Sequence, residues 1–157
     1  MRLFIVRHGE AASAVEGERP LTENGRGQAR AVADLLTRES LEHVLFSPKL
    51  RTRQTAAAIL ESCTAASGQE EPALLPPATP ADVVRAIEAC GAERVALVSH
   101  LPWVAELVGW FTSGDTRDYR LPGFPPSGVV ALRMEAVGQG QAILEWHAFP
   151  PEHEPKI

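Results

Sequence analysis

Three short stretches hold most of the chemistry open to this chain. They are Arg7-His8-Gly9-Glu10 near its start, Ser47-Pro48 through Arg51 a third of the way along, and Ser99-His100 further on. Arginine carries a planar fork of donors that matches the oxygens of a phosphoryl group, and it stays charged at any working pH. An imidazole of ordinary pKa, about 6.5, is mostly unprotonated at neutral pH and is a competent nucleophile. Neighbouring guanidinium groups push that pKa lower still. Two His with two or three Arg would grip a dianionic phosphoryl group and hold it against a free ring nitrogen. Phosphoryl transfer asks mainly for positioning and charge neutralisation, and guanidinium groups neutralise charge without a divalent cation.

Each of these stretches follows an apolar run that reads as a strand. Leu3 to Val6 is continuous, as in a central strand buried on both faces. Val44 to Phe46 is shorter and is stopped by Ser47-Pro48, and Arg94 to Ser99 contains Val95 to Val98. Helical patterns separate the runs. Thr22 caps the first, in which Ala29, Val32, Ala33 and Leu36 recur at helical spacing. The second covers Leu50 to Glu61. The third starts at Thr79-Pro80 with Asp82 in its first turn, buries Val83, Val84 and Ile87, and stops at Gly91. The fourth is opened by Pro102 and runs to about Phe111.

The remaining segments read as loops and edges. Cys63 to Pro77 is a small, polar loop around one short strand at Ala73 to Leu75. Gly114 to Ser127, with Arg117, Asp118, Arg120 and Pro122, is a loop bordering the cleft. Two alternating runs, Val130-Leu132-Met134 and Leu144-Trp146 with Glu145 and His147 opposite, form a hairpin about Gly138 to Gly140. The expected fold is an α/β three-layer sandwich: a mostly parallel sheet flanked by helices, with a C-terminal antiparallel hairpin. One domain spans 1–150, and 151–157 is a polar, loosely held tail. In such sheets ligands lie outside the carboxyl ends of the strands. If the three strands are neighbours, Arg7, His8, Arg51 and His100 share one crevice.

Composition narrows the partners. At 157 residues, 45% hydrophobic, the chain suits a single domain with a proper core. A formal net charge of −5 disfavours nucleic acid and anionic membranes, so a local Arg cluster serves something small. No stretch reaches the roughly 20 apolar residues of a membrane span, and Leu3 to Val6 is too short for a signal-peptide core. The cytoplasm is the expected compartment. Cys63 and Cys90 read as free thiols. His43, His147 and His153 lack partners at metal-ligand spacing and read as surface or strand residues. Trp103 and Trp110, seven apart, pack in the core. No metal and no cofactor are expected.

Arg7-His8-Gly9-Glu10, Arg19 to Gly25 ("RPLTENG"), Ser47 to Ala56 ("SPKLRTRQTA") and Val98 to Pro102 ("VSHLP") resemble the histidine phosphatase superfamily. That superfamily is also called phosphoglycerate mutase-like, or the RHG family. Its short SixA-type phosphohistidine phosphatases are similar in length and in the spacing of all four motifs, up to about Trp146. A lone RHG is weak evidence; four motifs in order, each at a structural boundary, are strong. The resemblance implies that His8 is the nucleophile and forms a covalent phosphohistidine. It implies that Arg7 and Arg51 grip the phosphoryl oxygens, that His100 is a further donor, and that Arg19 adds a third guanidinium at the pocket mouth.

One departure matters. Larger relatives carry a glutamate in an inserted segment that protonates an alkoxide leaving group. Here Leu75 to Val84 ("LPPATPADVV") holds no Glu and no large insertion. Glu10, Asp82 or water are the alternatives for that acid. A protonated imidazole leaves far more readily than an alkoxide, so phosphohistidine on a signalling or phosphotransfer protein is the expected substrate. The alternatives are a small phosphomonoester, or a non-catalytic module that binds phosphate or a phosphoprotein. The partner is thus a phosphorylated protein or a small phosphorylated molecule, and oligomeric state stays open.

Overall fold

Six strands form one sheet in the order β3-β2-β4-β1-β5-β6, which sets the three chemistry-bearing strands side by side. They are β1 (Arg2–Arg7), β2 (His43–Phe46), β3 (Ser67–Glu70), β4 (Arg94–Ser99), β5 (Val129–Arg133) and β6 (Ile143–Ala148). The computed structural model describes residues 1–13, 16–119, 121 and 123–157; Arg120 and Pro122 of the expected cleft loop lie outside the described residues. β1 pairs parallel with β4, β4 with β2 and β2 with β3, while β5 runs antiparallel to both β1 and β6.

Alternation along the central strands divides the core in two. Leu3, Ile5, Leu45, Val95 and Leu97 face one side, packing against Val83 and Ile87 of α3 (Pro80–Cys90) and Val104 and Leu107 of α4 (Trp103–Thr112). Phe4, Val6, Val44, Ala96 and Val98 face the other, against Val32 and Leu36 of α1 (Glu23–Leu36) and Ala56 and Ile59 of α2 (Leu50–Ser62). The result is the three-layer α/β sandwich, with helices on both faces of a mostly parallel sheet.

The helix ends follow their local chemistry. The Thr22 hydroxyl accepts from the Gly25 amide at the start of α1. Thr79 and Asp82 form a reciprocal capping box with Pro80 at the first helical position, and Gly91 ends α3 at φ +63°. Trp103 is buried and its Nε1 donates to the Ala73 carbonyl at 3.1 Å, so it packs as expected.

Three expectations need correction. The strand expected at Ala73 to Leu75 is instead a 3₁₀ turn over Pro72–Leu74, and the edge strand is the wholly exposed, polar Ser67–Glu70. Ala73 and Leu74 are apolar because the turn tucks them into the core; β3 is held by backbone pairing to β2, which needs no apolar pattern. Val130, Leu132 and Met134 do share one face, and Val129 and Ala131 on the other face are equally buried, because β5 lies inside the sheet. The tail is not loose. Lys156 and His147 exchange two backbone hydrogen bonds at 2.7 and 2.8 Å, and His153, expected at the surface, is buried with its Nε2 2.9 Å from the Ser127 carbonyl.

Candidate active site

Arg7 and His8 leave the carboxyl end of β1, and backbone bonds to β4 and to the Ser127–Gly128 segment, among them the Arg7 amide to the Gly128 carbonyl at 3.1 Å, fix them there. The His8 amide donates to the Ser99 carbonyl of β4 at 3.0 Å, and the Ser127 amide donates to the carbonyls of Arg7 and His8 at 3.1 and 2.9 Å. Gly9 then passes so close to α1 that a Cβ there would lie 2.7 Å from the Gly25 carbonyl oxygen. Conversely, a Cβ at Gly25 would meet the Glu10 carbonyl at 2.0 Å. The two glycines of "RHGE" and "RPLTENG" are therefore one close backbone approach, which leaves no room for a side chain on either.

Helix α2 grips the site from the other side. The Thr55 hydroxyl accepts from the Gly9 amide at 3.0 Å and donates to the Arg51 carbonyl at 2.8 Å. Thr52, one turn earlier, meets the Ser47 hydroxyl at 2.7 Å, and Ser47 meets His100 Nε2 at 2.5 Å. Ser47, Thr52 and Thr55 are fully buried. All three are supports that sequence reasoning missed. The one available signal was the Thr52/Thr55 spacing, which places both hydroxyls on the inner face of α2.

The imidazoles of His8 and His100 lie with ring centroids 5.3 Å apart, and both are buried. His8 Nδ1 is 2.7 Å from the Gly9 carbonyl oxygen, which can only accept. Nδ1 therefore carries the proton, and the Nε2 lone pair is free. Burial, and after it the charges of Arg51, Arg7 and Arg19, lower the His8 pKa to about 4 against the raising effect of the Gly9 carbonyl. Burial, then Arg51, His8, Lys49 and Arg7, lower that of His100 to about 3. At neutral pH both rings are neutral.

Two guanidinium groups at the site carry a buried nitrogen without a partner. Arg7 donates from one NH1 group to the Phe124 carbonyl at 2.9 Å, yet its Nε is buried without a partner, as is Nε of Arg51. Among the described residues no carboxylate pairs with either. Both have pKa values lowered by burial and by the charge of Arg19. Arg19 is exposed and bonds the Ala12 carbonyl at 3.0 Å, with its charge felt by Arg7, His8 and Arg51. That is a rim position. Arg53 faces outward and pairs with Glu70 at 3.5 Å.

The carboxylates weighed as general acids are engaged elsewhere. Glu10 is exposed and accepts from the Thr22 hydroxyl at 2.8 Å and the Asn24 amide at 3.1 Å, buttressing the start of α1. Asp82 is held ionised by hydrogen bonds from Thr79 and by Arg85. The sequence reading did not consider Glu18, which is half-buried, accepts from the Leu50 amide at 3.3 Å, and raises the pKa of Arg51 by its charge.

Beside the site lies an apolar cavity of about 290 Å³ whose lining includes Leu101, Ala105, Val108, Tyr119, Leu121 and Phe124. It shares walls with the polar crevice, since Leu101 follows His100 and the Phe124 carbonyl holds Arg7. Leu101 and Tyr119 are large apolar residues left 42% and 55% exposed. Of the segment expected to border the cleft, Tyr119, Leu121, Gly123 and Phe124 line this cavity, while Arg117 is exposed and pairs with Asp115.

Fold and site together define a class: an α/β protein with a paired-histidine, arginine-lined anion site at the carboxyl ends of parallel strands. Comparison with known proteins narrows it. The model of the histidine phosphatase superfamily (branch 1) matches residues 3–74. The chain is 33% identical to Phosphohistidine phosphatase SixA of Escherichia coli (strain K12), over 96% of this chain and 94% of that one. The Adenosylcobalamin/alpha-ribazole phosphatase of Salmonella typhimurium is 43% identical over 67 residues, 39% of this chain and 33% of that protein. Among solved structures, the protein histidine phosphatase SixA complexed with tungstate superposes with a TM-score of 0.80 at 31% identity, over 94% of this chain and 96% of that one. The chain belongs to the histidine phosphatase superfamily.

Proposed function

We propose that this protein is a metal-independent phosphatase that removes phosphate from phosphohistidine on another protein. His8 Nε2 attacks phosphorus, the substrate P–N bond breaks, and a phosphohistidine forms on His8 as the freed imidazole takes a proton. Water then attacks the His8 phosphohistidine, releasing phosphate and the free ring. Arg7, Arg51 and His100 hold the phosphoryl oxygens, with Arg19 at the rim. The observation that carries this reading is the set of buried, unpartnered guanidinium nitrogens beside a neutral His8 whose Nε2 is free. Four cationic or imidazole side chains with no carboxylate among them suit an oxyanion and repel a divalent cation.

Three further observations favour phosphohistidine over a phosphate ester. Glu10 and Asp82 are both committed to helix N-termini, so neither is free to protonate an alkoxide. A phosphorylated imidazole leaves as a neutral ring once its other nitrogen is protonated, which at a pKa of about 6.5 solvent can do, so no carboxylic acid is needed. The apolar cavity against the site gives the residues flanking a phosphorylated side chain somewhere to rest. The full-length likeness to the phosphohistidine phosphatase named above agrees.

Phosphate release from a phosphohistidine-bearing protein and from a sugar phosphate, side by side with EDTA present, tests the reading. Fast release from the first and little from the second is expected, with loss of at least about 10⁴-fold in His8→Ala. His8→Ala should still bind phosphate through its arginines. Comparable rates on both substrates would instead favour a small-molecule phosphomonoesterase and direct attention to Glu18 as acid. Binding without turnover in the unaltered protein would identify a phosphate-binding module.

A further inference from the structure

Ser47, Thr52 and His100 form a hydrogen-bonded chain whose direction can be read from its far end. Thr52 Oγ1 lies 2.8 Å from the Ser47 carbonyl oxygen and 2.8 Å from the Lys49 carbonyl oxygen. Carbonyls only accept, so the single Thr52 hydroxyl proton is committed to them. Its contact with Ser47 Oγ at 2.7 Å is then one in which Thr52 accepts and Ser47 donates. The Ser47 proton being spent, its 2.5 Å contact with His100 is one in which Nε2–H donates. The reverse direction would leave Thr52 lone pairs facing two carbonyl oxygens in a fully buried place, which is costly.

We infer that Ser47 and Thr52 are positioning residues that hold His100 as the Nε2–H tautomer, so that His100 can donate to a phosphoryl oxygen only after taking up a proton on Nδ1. That nitrogen is the ring nitrogen left for a ligand, and it is buried with no partner. The charged and titratable groups acting on the ring are Arg51, His8, Lys49 and Arg7. All of them oppose an imidazolium, and an arriving dianion reverses that balance. The tautomer follows from the hydrogen-bond chain alone; the proton uptake also rests on the pocket being the phosphoryl site proposed above.

Two measurements test this, with Thr52→Val as the main variant and Thr52→Ser as the conservative one. Valine removes the acceptor for the Ser47 proton at nearly constant volume, which frees Ser47 to donate to Nε2 and drives His100 to the Nδ1–H form. Long-range ¹H–¹⁵N correlation spectra of the ligand-free protein should show His100 protonated on Nε2 in the unaltered chain and in Thr52→Ser, and on Nδ1 in Thr52→Val. Calorimetry of inorganic phosphate binding near pH 8, in buffers of different ionisation enthalpy, should show Thr52→Val taking up about one proton fewer than the unaltered protein. Thr52→Ser should restore the count. A merely structural Thr52 would change stability and leave both readouts alone. An Nδ1–H tautomer in the unaltered protein with normal phosphate binding would overturn the inference and leave the phosphoryl site standing. The Nε2–H tautomer with no phosphate binding would support the positioning by Ser47 and Thr52 and overturn the phosphoryl site together with the proton uptake.

Discussion

The two ends of the sheet treat arginine in opposite ways. At the amino end of β1, Arg2 bonds Glu145 at 2.8 Å and also pairs with Glu39, while Met1 pairs with Glu93 and Arg94 with Glu42. Burial there works against the Arg2 charge, but the two carboxylates outweigh it and its pKa is raised. At the carboxyl end, five residues along the same strand, Arg7 has no carboxylate partner among the described residues, and burial and then the charge of Arg19 lower its pKa. One strand thus carries a satisfied cation at one end and an unsatisfied one at the other. The first is a structural device. The second stores unfavourable charge that an oxyanion would relieve, which is what a binding site for a phosphoryl group requires.

The largest effect expected from breaking this contrast is at Arg51. Arg51→Met should lower kcat/KM by roughly 10²- to 10³-fold, as loss of one preorganised donor to a charged transition state does. The same change should leave the ligand-free protein as stable as before or more so, because it removes repulsion. Steady-state kinetics and thermal unfolding check the two halves. An Arg51→Met protein with full turnover would mean the carboxyl-end charges are not there for substrate.

Acid titration should sharpen the contrast. The His8 and His100 pKa values lie below the unfolded value of about 6.5. Between those pH values the unfolded chain binds more protons than the folded one. Stability is therefore full above about pH 6.5 and falls as pH drops toward about 4 for His8 and about 3 for His100. The loss from His8 alone is on the order of 3 kcal/mol. The acid limb of kcat/KM should fall near pH 4, as His8 loses its lone pair. Denaturant melts from pH 7 to pH 4 measure the first, and pH–rate profiles the second. A flat stability curve would mean these rings are more solvated than their burial indicates.

The smallest effect belongs to the amino end. Arg2→Met should cost about 1–2 kcal/mol of stability, because it leaves Glu39 and Glu145 partly buried without their cation. It should leave kcat/KM within about twofold, since uncoupling from the site is what the geometry implies. A large loss of turnover in Arg2→Met would show that the two ends of β1 are coupled and dissolve the comparison.

Much of this arrangement was legible before any coordinates. Continuous apolar runs marked β1 and β4, Thr22 and Thr79 marked helix starts, and the polar residues at the strand ends marked Arg7, His8 and His100, while Arg51 was singled out from Arg53 only by the register of its motif. Those signals survive in a linear chain because burial on both faces and end-capping each impose a residue type at a fixed position. The edge strand Ser67–Glu70 left no such mark, because backbone pairing constrains no side chain. The burial of His153 against Ser127 and the commitment of Glu10 to Thr22 and Asn24 were equally invisible.

The order of the residues was thus enough to specify an α/β sandwich and the four side chains that meet in its crevice, because hydrophobic periodicity is local and repeats. Folding in three dimensions settled the rest: that β2, β4 and β1 are adjacent, that Gly9 and Gly25 touch, and that Thr52 and Ser47 aim His100. Those are contacts between residues far apart in the chain, 53 positions in the case of Ser47 and His100. They depend on distance and hydrogen-bond direction, which no spacing along the sequence encodes.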